Sequence, residues 1–322
     1  MKILITGCAG FIGSLLTKEL SQSHKVVGID SFEYCQEDLI GSALRGATIF
    51  HQDLILKPLS RNFLKDFDVI FHMAAIVGAP ACDRSPQRAT EINFGVTKDI
   101  VDKLDGHQLL VFPDTNSGYG SCPVGICTEE TPLKSISLYG KTKEESEKYI
   151  LDKYPNSIIF RLATLFGTSP RTRVDLLVNS MTMEGYFNKE IKVFDPHLRR
   201  NFVHVKDVVR CMIKAMTNKN MIGQVYNLGL DAANMTKGEL AGMIIAVLNR
   251  QGGGKPIPPY ILGEGHDPDL RDYIVSSAKL MKTGWQPIYD LEEGIEEIIE
   301  FCKGLPKDID DRNEILKMHK NV

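Results

Sequence analysis

The sequence predicts an α/β fold: a doubly wound parallel sheet with a smaller, discontinuous C-terminal domain. Three observations carry this expectation. Short, continuously apolar runs alternate with helical stretches through the first half of the chain. A Gly-x-x-Gly-x-x-Gly run follows the first apolar run directly and opens the first helical stretch. The second apolar run ends on a carboxylate. Strands apolar on both faces belong to sheets covered by helices on both sides, and right-handed crossovers then wind the chain both ways from the first strand.

The elements follow in order. Lys2 to Thr6 reads as a buried strand, and Phe11 to Gln22 has helical spacing with Phe11, Leu15, Leu16 and Leu20 on one side. Val26 to Asp30, Thr48 to Phe50 and Val69 to Met73 are the next strands. Residues 86–105 read as helical, Leu109 to Phe112 as a fifth strand, 137–153 as a charged amphipathic helix and Ile158 to Leu162 as a further strand. Phe202 to Val205 and Gln224 to Leu228 are strand-like, and Thr236 to Glu239 fits a capping box before a helix through Leu248. Gln251 to Pro259 is a Gly/Pro loop, and the chain from Pro306 reads as a loosely held polar tail. The expected division is 1–167 and 201–230 for the sheet domain, 168–200 and 231–305 for the smaller domain, and 306–322 for the tail.

Composition narrows the function classes. The chain has 322 residues, 43% apolar and 25% charged, which is ordinary globular composition. A net charge of −3 leaves no basic excess for gripping a nucleic-acid backbone. Seven cysteines without a CxxC argue against a disulfide framework or a zinc module and for a reducing compartment. No apolar run approaches a membrane span and no signal-peptide core opens the chain. The expectation is a soluble cytoplasmic protein that binds neither nucleic acid nor membrane and holds no metal.

Gly7, Gly10 and Gly13, with Phe11 and Ile12 between them, form the run after the first strand. Glycine permits the tight turn, close approach of a pyrophosphate, and packing of helix on strand; the helix N-terminus adds free N–H groups and a positive dipole. Asp30 can accept from the adenosine ribose hydroxyls and repels a 2′-phosphate, so NAD is expected rather than NADP. Asp53, followed by Leu54, could accept from the adenine amino group; the alternative is a solvated loop aspartate.

Tyr139 and Lys143 are four apart on one helix, so they share a face. A cation there is expected to lower the phenol pKa and make Tyr139 a base for a sugar hydroxyl. Tyr149 and Lys153 repeat the spacing, but ten positions rotate about 280° on a helix, so the second pair faces elsewhere. The first pair lies at the helix start, where a strand-edge cleft is expected. Thr115, within Asp114 to Gly120 after the fifth strand, could hydrogen-bond the reacting hydroxyl.

In their order these motifs, with Arg161 to Gly167 and Arg200 to Asp207, resemble the extended short-chain dehydrogenases, the NAD-dependent epimerase/dehydratase family of nucleotide-sugar enzymes. The resemblance runs from Lys2 to about Phe301. It implies a Rossmann-type domain, a smaller domain for the nucleotide sugar, and a triad of Thr115, Tyr139 and Lys143. Tyr139 then takes the C4 hydroxyl proton as hydride leaves, Lys143 also binds the nicotinamide ribose, and Thr115 holds the C4 oxygen. Family dehydratases usually carry a glutamate two residues after the threonine, and 3,5-epimerases a cysteine; Asn116 and Ser117 stand there instead. Simple C4 redox chemistry remains: dehydrogenation, 4-epimerisation or 4-keto reduction.

Within the family, Asn116 to Gly120, Ser169 to Asn179, Arg199 to Asn201 and Asp267 to Tyr273 are similar to GDP-heptose 4-dehydrogenases of capsular polysaccharide synthesis. This similarity implies a GDP-sugar substrate and places Asn116, Ser117, Arg171, Arg173, Asn179, Arg200 and Arg271 at it, with Arg200 and Arg271 gripping the diphosphate. The family position of Thr164 is commonly asparagine. Family members pair through two helices, implying a homodimer or homotetramer. A non-enzymatic nucleotide sensor on this fold is the competing reading; the retained Tyr139 and Lys143 argue against it. His72 and His204 read as packed histidines, Cys82 and Cys127 as small buried hydrophobes, the acidic run from Glu292 as a solvated helix face, Tyr119 as packing on the cofactor loop, and Asn93 as a brace of the strand-five region or a helix-start polar group.

Overall fold

A computed structural model describes residues 1–34, 40–122, 124–251, 257–265, 271–306 and 308–318. Two of the stretches named above, Gly252 to Pro256 of the Gly/Pro loop and Asp267 to Leu270, lie outside the described residues.

Seven strands form one parallel sheet: β1 (Lys2–Thr6), β2 (Lys25–Asp30), β3 (Thr48–His51), β4 (Val69–His72), β5 (Leu109–Thr115), β6 (Ser157–Leu162) and, after three intervening strands, β10 (Gln224–Leu228). Their order is β10-β6-β5-β4-β1-β2-β3. The chain winds outward from β1 in both directions, so the strand order reverses between β1 and β4. A crevice opens there at the carboxyl ends of the strands. Side chains alternate across the sheet into two cores. Ile3, Ile5, Phe71, Val111 and Phe160 pack with the Phe11–Leu20 and Val205–Ala215 helices. Leu4, Ile70, Leu110, Phe112 and Ile159 pack on the other face with the Val96–Val101 and Leu138–Lys153 helices.

A third core collects Phe166, Phe202, Val178, Leu240, Ile244, Ile295 and Ile298. It joins the helices Leu177–Asn188, Lys237–Gln251 and Leu291–Lys303 to a small sheet of β7 (Thr164–Phe166), β9 (Arg199–His204) and β11 (Leu230–Thr236), ordered β11-β9-β7. A short pair, β8 (Lys192–Val193) with β12 (Ile261–Leu262), completes the strands. Among the described residues no helix is long and apolar enough to cross a membrane.

Several local expectations change. The helical stretch over 86–105 is three segments, Pro86–Thr90, a π-helical turn Glu91–Gly95 and Val96–Val101. The fifth strand runs on to Thr115, so Thr115 ends a strand and does not lie in the loop beyond it. Val205 opens a helix, capped by the His204 side chain, which accepts from the Lys206 N–H. Within the stretch expected as a tail, Ile309–Met318 is a helix; Arg312 lies over the Phe187 ring at 4.2 Å and Leu316 packs on the third core. The Thr236–Glu239 capping box forms as expected, each residue's side chain accepting from the other's N–H.

Glu297 ties the Leu291–Lys303 helix to the strands. Its carboxylate accepts from the Thr168 N–H at 2.7 Å and Oγ at 2.5 Å, and pairs with Lys206. Burial opposes its charge, but these bonds and His204 outweigh it and bring the carboxyl from 4.5 down to about 2. A depressed carboxyl pKa adds stability above its unfolded value that is lost as pH falls through the folded one. Glu297→Gln is therefore expected to cost about 2 kcal/mol at neutral pH. In urea melts the gap from wild type shrinks below pH 4.5 and closes near pH 2. A gap of constant size through that window removes the assignment.

Candidate active site

One cavity lies at the strand-order reversal, walled by the carboxyl ends of β1, β2, β4, β5 and β6. At one end is the glycine run. Gly7 has φ of +71°, and a Cβ there would meet the Ala74 backbone nitrogen at 2.8 Å. At Gly13 a Cβ would lie 2.0 Å from the Gly7 carbonyl oxygen, so only glycine lets this helix seat against the turn. Gly10 caps the Phe11–Leu20 helix without a side-chain bond, leaving the first-turn N–H groups of Phe11, Ile12 and Gly13 for a ligand. Asp30, at the end of β2, accepts from the Ala9 and Phe32 N–H groups, both at 2.9 Å. Burial raises its pKa, with those bonds and the Arg171 charge opposing. The cradle, the wall-lining Asp30 and the apolar Leu54 fit a dinucleotide. Asp53 lines the same wall but is already engaged: Arg88 pairs with it at 2.8 Å and the Ile55 N–H donates at 2.8 Å.

At the other end stand Thr115, Ser117, Tyr139, Lys143, Arg173 and Arg271. Ser137 caps the Leu138–Lys153 helix by accepting from the Gly140 N–H, which sets Tyr139 in its first turn. Thr115 donates to Ser117 Oγ at 2.9 Å and accepts from the Ser117 N–H at 3.1 Å; Arg271 donates to the same Ser117 oxygen. A polar chain thus runs from Thr115 to an arginine of the second half. Arg173 is held by Asp175 at 2.5 Å. The second YxxxK pair is elsewhere: Tyr149 donates to Asp102, and Lys153 pairs with Asp152 on the outer face.

The electrostatics differ from the expectation. The phenol of Tyr139 is not lowered; burial raises it, with Arg173 and Arg271 opposing. Lys143 is brought down to about 8 by burial. Its ammonium lies 3.7 Å over the Phe112 ring. A water-poor pocket disfavours both charged forms, phenolate and ammonium, and the spacing on a helix could not reveal that.

Four of the expected substrate residues stand differently. Arg171 reaches the opposite end of the cavity, donating to the Tyr34 carbonyl at 2.9 Å near Asp30. Asn116 is buried and forms no part of the wall. Asn179 bonds the Gly167 N–H and the Gly167 and Arg173 carbonyls, so it shapes the arginine loop from behind. Arg200 is also off the wall and donates to the Arg199 and Arg271 carbonyls, bracing Arg271. An amide or guanidinium that bonds backbone groups helps to hold a loop.

Other groups take clear places. His72 is held by Thr6 at 2.7 Å and Thr97 at 3.0 Å. Tyr119 does not pack on the cofactor loop; its hydroxyl joins Asn227, Arg161 and the Thr128 carbonyl. Asn93 bonds both backbone groups of Ile76, beyond β4, and the Thr142 hydroxyl, so it ties that segment to the Leu138–Lys153 helix and not to the fifth strand. Sequence reasoning passed over Asp114, Arg88 and Tyr273, all in the wall; Asp114 sat inside a quoted motif and its charge in an apolar strand was the available signal.

A model of the NAD-dependent epimerase/dehydratase family matches residues 3–229. An uncharacterised UDP-glucose epimerase, YtcB, of Bacillus subtilis is 28% identical over 325 residues, covering 95% of this chain and 99% of the relative. A UDP-glucose 4-epimerase of Mycolicibacterium smegmatis is 29% identical, covering 94% and 99%. The solved UDP-glucuronic acid 4-epimerase of Bacillus cereus, in complex with UDP-glucuronic acid and NAD, is 26% identical with a TM-score of 0.78, covering 94% of this chain and 99% of its own. The parallel sheet, the glycine cradle at its switch point and the family match over most of the chain agree, and the chain belongs to the NAD-dependent epimerase/dehydratase family of enzymes.

Proposed function

We propose that this enzyme oxidises the C4 hydroxyl of a nucleotide-activated sugar, using NAD held along the glycine cradle. The observation that carries the reading is the continuity of one cavity from Gly7–Gly13 to Thr115, Tyr139 and Lys143. Phe11, Ile12 and Gly13 present N–H groups to the pyrophosphate, and Asp30 accepts from the adenosine ribose. NAD, when bound, supplies the hydride acceptor. Thr115 holds the C4 oxygen, Tyr139 accepts the hydroxyl proton, and Lys143 holds the nicotinamide ribose. Arg173 and Arg271 line the substrate end. Residues 1–167 and 201–230 form the cofactor domain in this reading, and 168–200 with 231–305 the sugar domain.

The fate of the 4-keto sugar separates two versions. Asn116 to Gly120, Ser169 to Asn179 and Arg199 to Asn201 support a GDP-heptose 4-dehydrogenase-like enzyme of surface polysaccharide synthesis. The UDP-sugar 4-epimerases among the relatives support 4-epimerisation, in which the hydride returns to the other face. Incubation with NAD and a panel of GDP- and UDP-sugars, read by absorbance of reduced nicotinamide and by NMR of the sugar, decides between them. Reduced cofactor with a 4-keto product is expected for the dehydrogenase, and an inverted C4 centre without net reduction for the epimerase. Turnover of no nucleotide sugar ends the proposal.

A further inference from the structure

Asp114 stands in β5 one residue before Thr115, 2% exposed, in the cavity wall. No donor among the described residues reaches either of its carboxyl oxygens. What its carboxyl meets is another carboxyl, that of Glu147. Glu147 is itself buried, and Arg161 holds both of its oxygens, Nε at 2.9 Å and Nη2 at 2.6 Å. Across β5 and β6 the register sets Asp114 directly opposite Arg161. Two buried carboxyl groups in contact cannot both ionise, because like charges at that range repel strongly where water is absent. The guanidinium fixes the negative charge on Glu147. The proton between the pair therefore belongs to Asp114, whose O–H donates to Glu147. This also accounts for an acidic group that otherwise has no donor in a water-poor wall.

The remaining groups around Asp114 are consistent with that assignment. From the Leu138–Lys153 helix, Lys143 and Tyr139 face it along with Glu147; from β6, Arg161 does. The nearby His72 ring of β4, held by two threonine hydroxyls, is brought down to about 3 by burial and carries no charge at neutral pH. Cys82, which acts on Lys143 and Tyr139, is pushed up to about 11 and is a neutral thiol. Lys143 is thus the one cation of this set whose charge no carboxylate has already claimed.

We propose that Asp114 works as a neutral carboxylic acid hydrogen-bonded to Glu147, and that its neutrality leaves the Lys143 ammonium to Tyr139 and the ligands. An ionised Asp114 would draw the ammonium toward β5 and hold the phenol protonated. Asp114 is a positioning residue acting through Lys143 and Tyr139. Its effect on turnover rests on the C4 chemistry proposed above; its protonation state does not.

The test uses the NAD-loaded enzyme with Asp114→Asn, an uncharged amide of the same shape, and Asp114→Ser. Infrared difference spectra against wild type at neutral pH are expected to show a protonated carboxylic C=O band that both variants lack. In the pH profile of kcat, measured with whichever nucleotide sugar is turned over, Asp114→Asn is expected to keep the acid limb in place, since a neutral group replaces a neutral group. Absence of the infrared band overturns the proposal. So does a fall of the acid limb by about one pH unit or more, the mark of a removed anion. If both variants fail to fold, the wild-type spectrum decides through loss of the same band on raising the pH, and its absence throughout overturns the assignment. A band without turnover of any nucleotide sugar leaves the neutral acid standing and removes the C4 reading alone.

Discussion

Tyr139→Phe is expected to lower kcat by about 10²- to 10⁴-fold, the usual contribution of a positioned general base. The change deletes one oxygen and keeps the ring that lines the cavity, so NAD affinity should stay within a few-fold of wild type. The loss then appears in kcat, because the proton acceptor acts at the transition state and adds little to ground-state binding. Burial holds the phenol above its ordinary value of 10 in the free protein. The wild-type acid limb should accordingly move downward whenever positive charge is added near Tyr139 and upward when Arg173 or Arg271 is removed, since those two oppose the rise. Stopped-flow measurement of hydride transfer at saturating substrate separates this from product release. Turnover within tenfold of wild type would remove Tyr139 from the chemistry.

Glu147→Ala should have the largest effect on stability. It leaves the Arg161 guanidinium buried beneath the site with its carboxylate gone, and breaking one side of such a pair costs about 3–5 kcal/mol. That is a large share of the roughly 5–15 kcal/mol typical of a folded chain. Replacing both partners with apolar residues of similar volume should cost less than Glu147→Ala alone, because no buried charge is then stranded. Urea unfolding followed by circular dichroism reads the difference. A single variant as stable as wild type, or a double variant less stable than the single, contradicts the account. The same pair anchors β6 to the helix that carries Tyr139 and Lys143, so partial loss of cofactor binding should accompany the loss of stability.

Much of this protein was legible because its signals are local. The strands of the parallel sheet are continuous apolar runs, and Gly10 and Gly13 are set by contacts within one turn. A Cβ at Gly13 collides with the carbonyl of Gly7 only six positions earlier. Asp30 follows from the end of one strand. Such features depend on neighbours in sequence, and their order sufficed to name the family.

Where a side chain's partner is distant in sequence, local pattern could not supply it. Arg171 and Arg173 are two residues apart, yet one reaches Tyr34 near Asp30 and the other the Tyr139 end of the cavity. Asn179 and Arg200, expected at the ligand, donate to backbone carbonyls. For the two tyrosine–lysine pairs of identical spacing on one helix, rotation along the helix already pointed to the first, and packing against β5 puts it in the cavity. The charges moved furthest from expectation: the cation beside Tyr139 was readable, but the low-dielectric pocket that raises the phenol and lowers Lys143 exists only once strands, helix and loops have closed around it. Sequence alone determined the sheet, the cradle and the family, since each is written in short-range pattern. Tertiary structure decided which polar groups face the ligand and which charges survive, because desolvation and pairing are properties of the assembled surroundings.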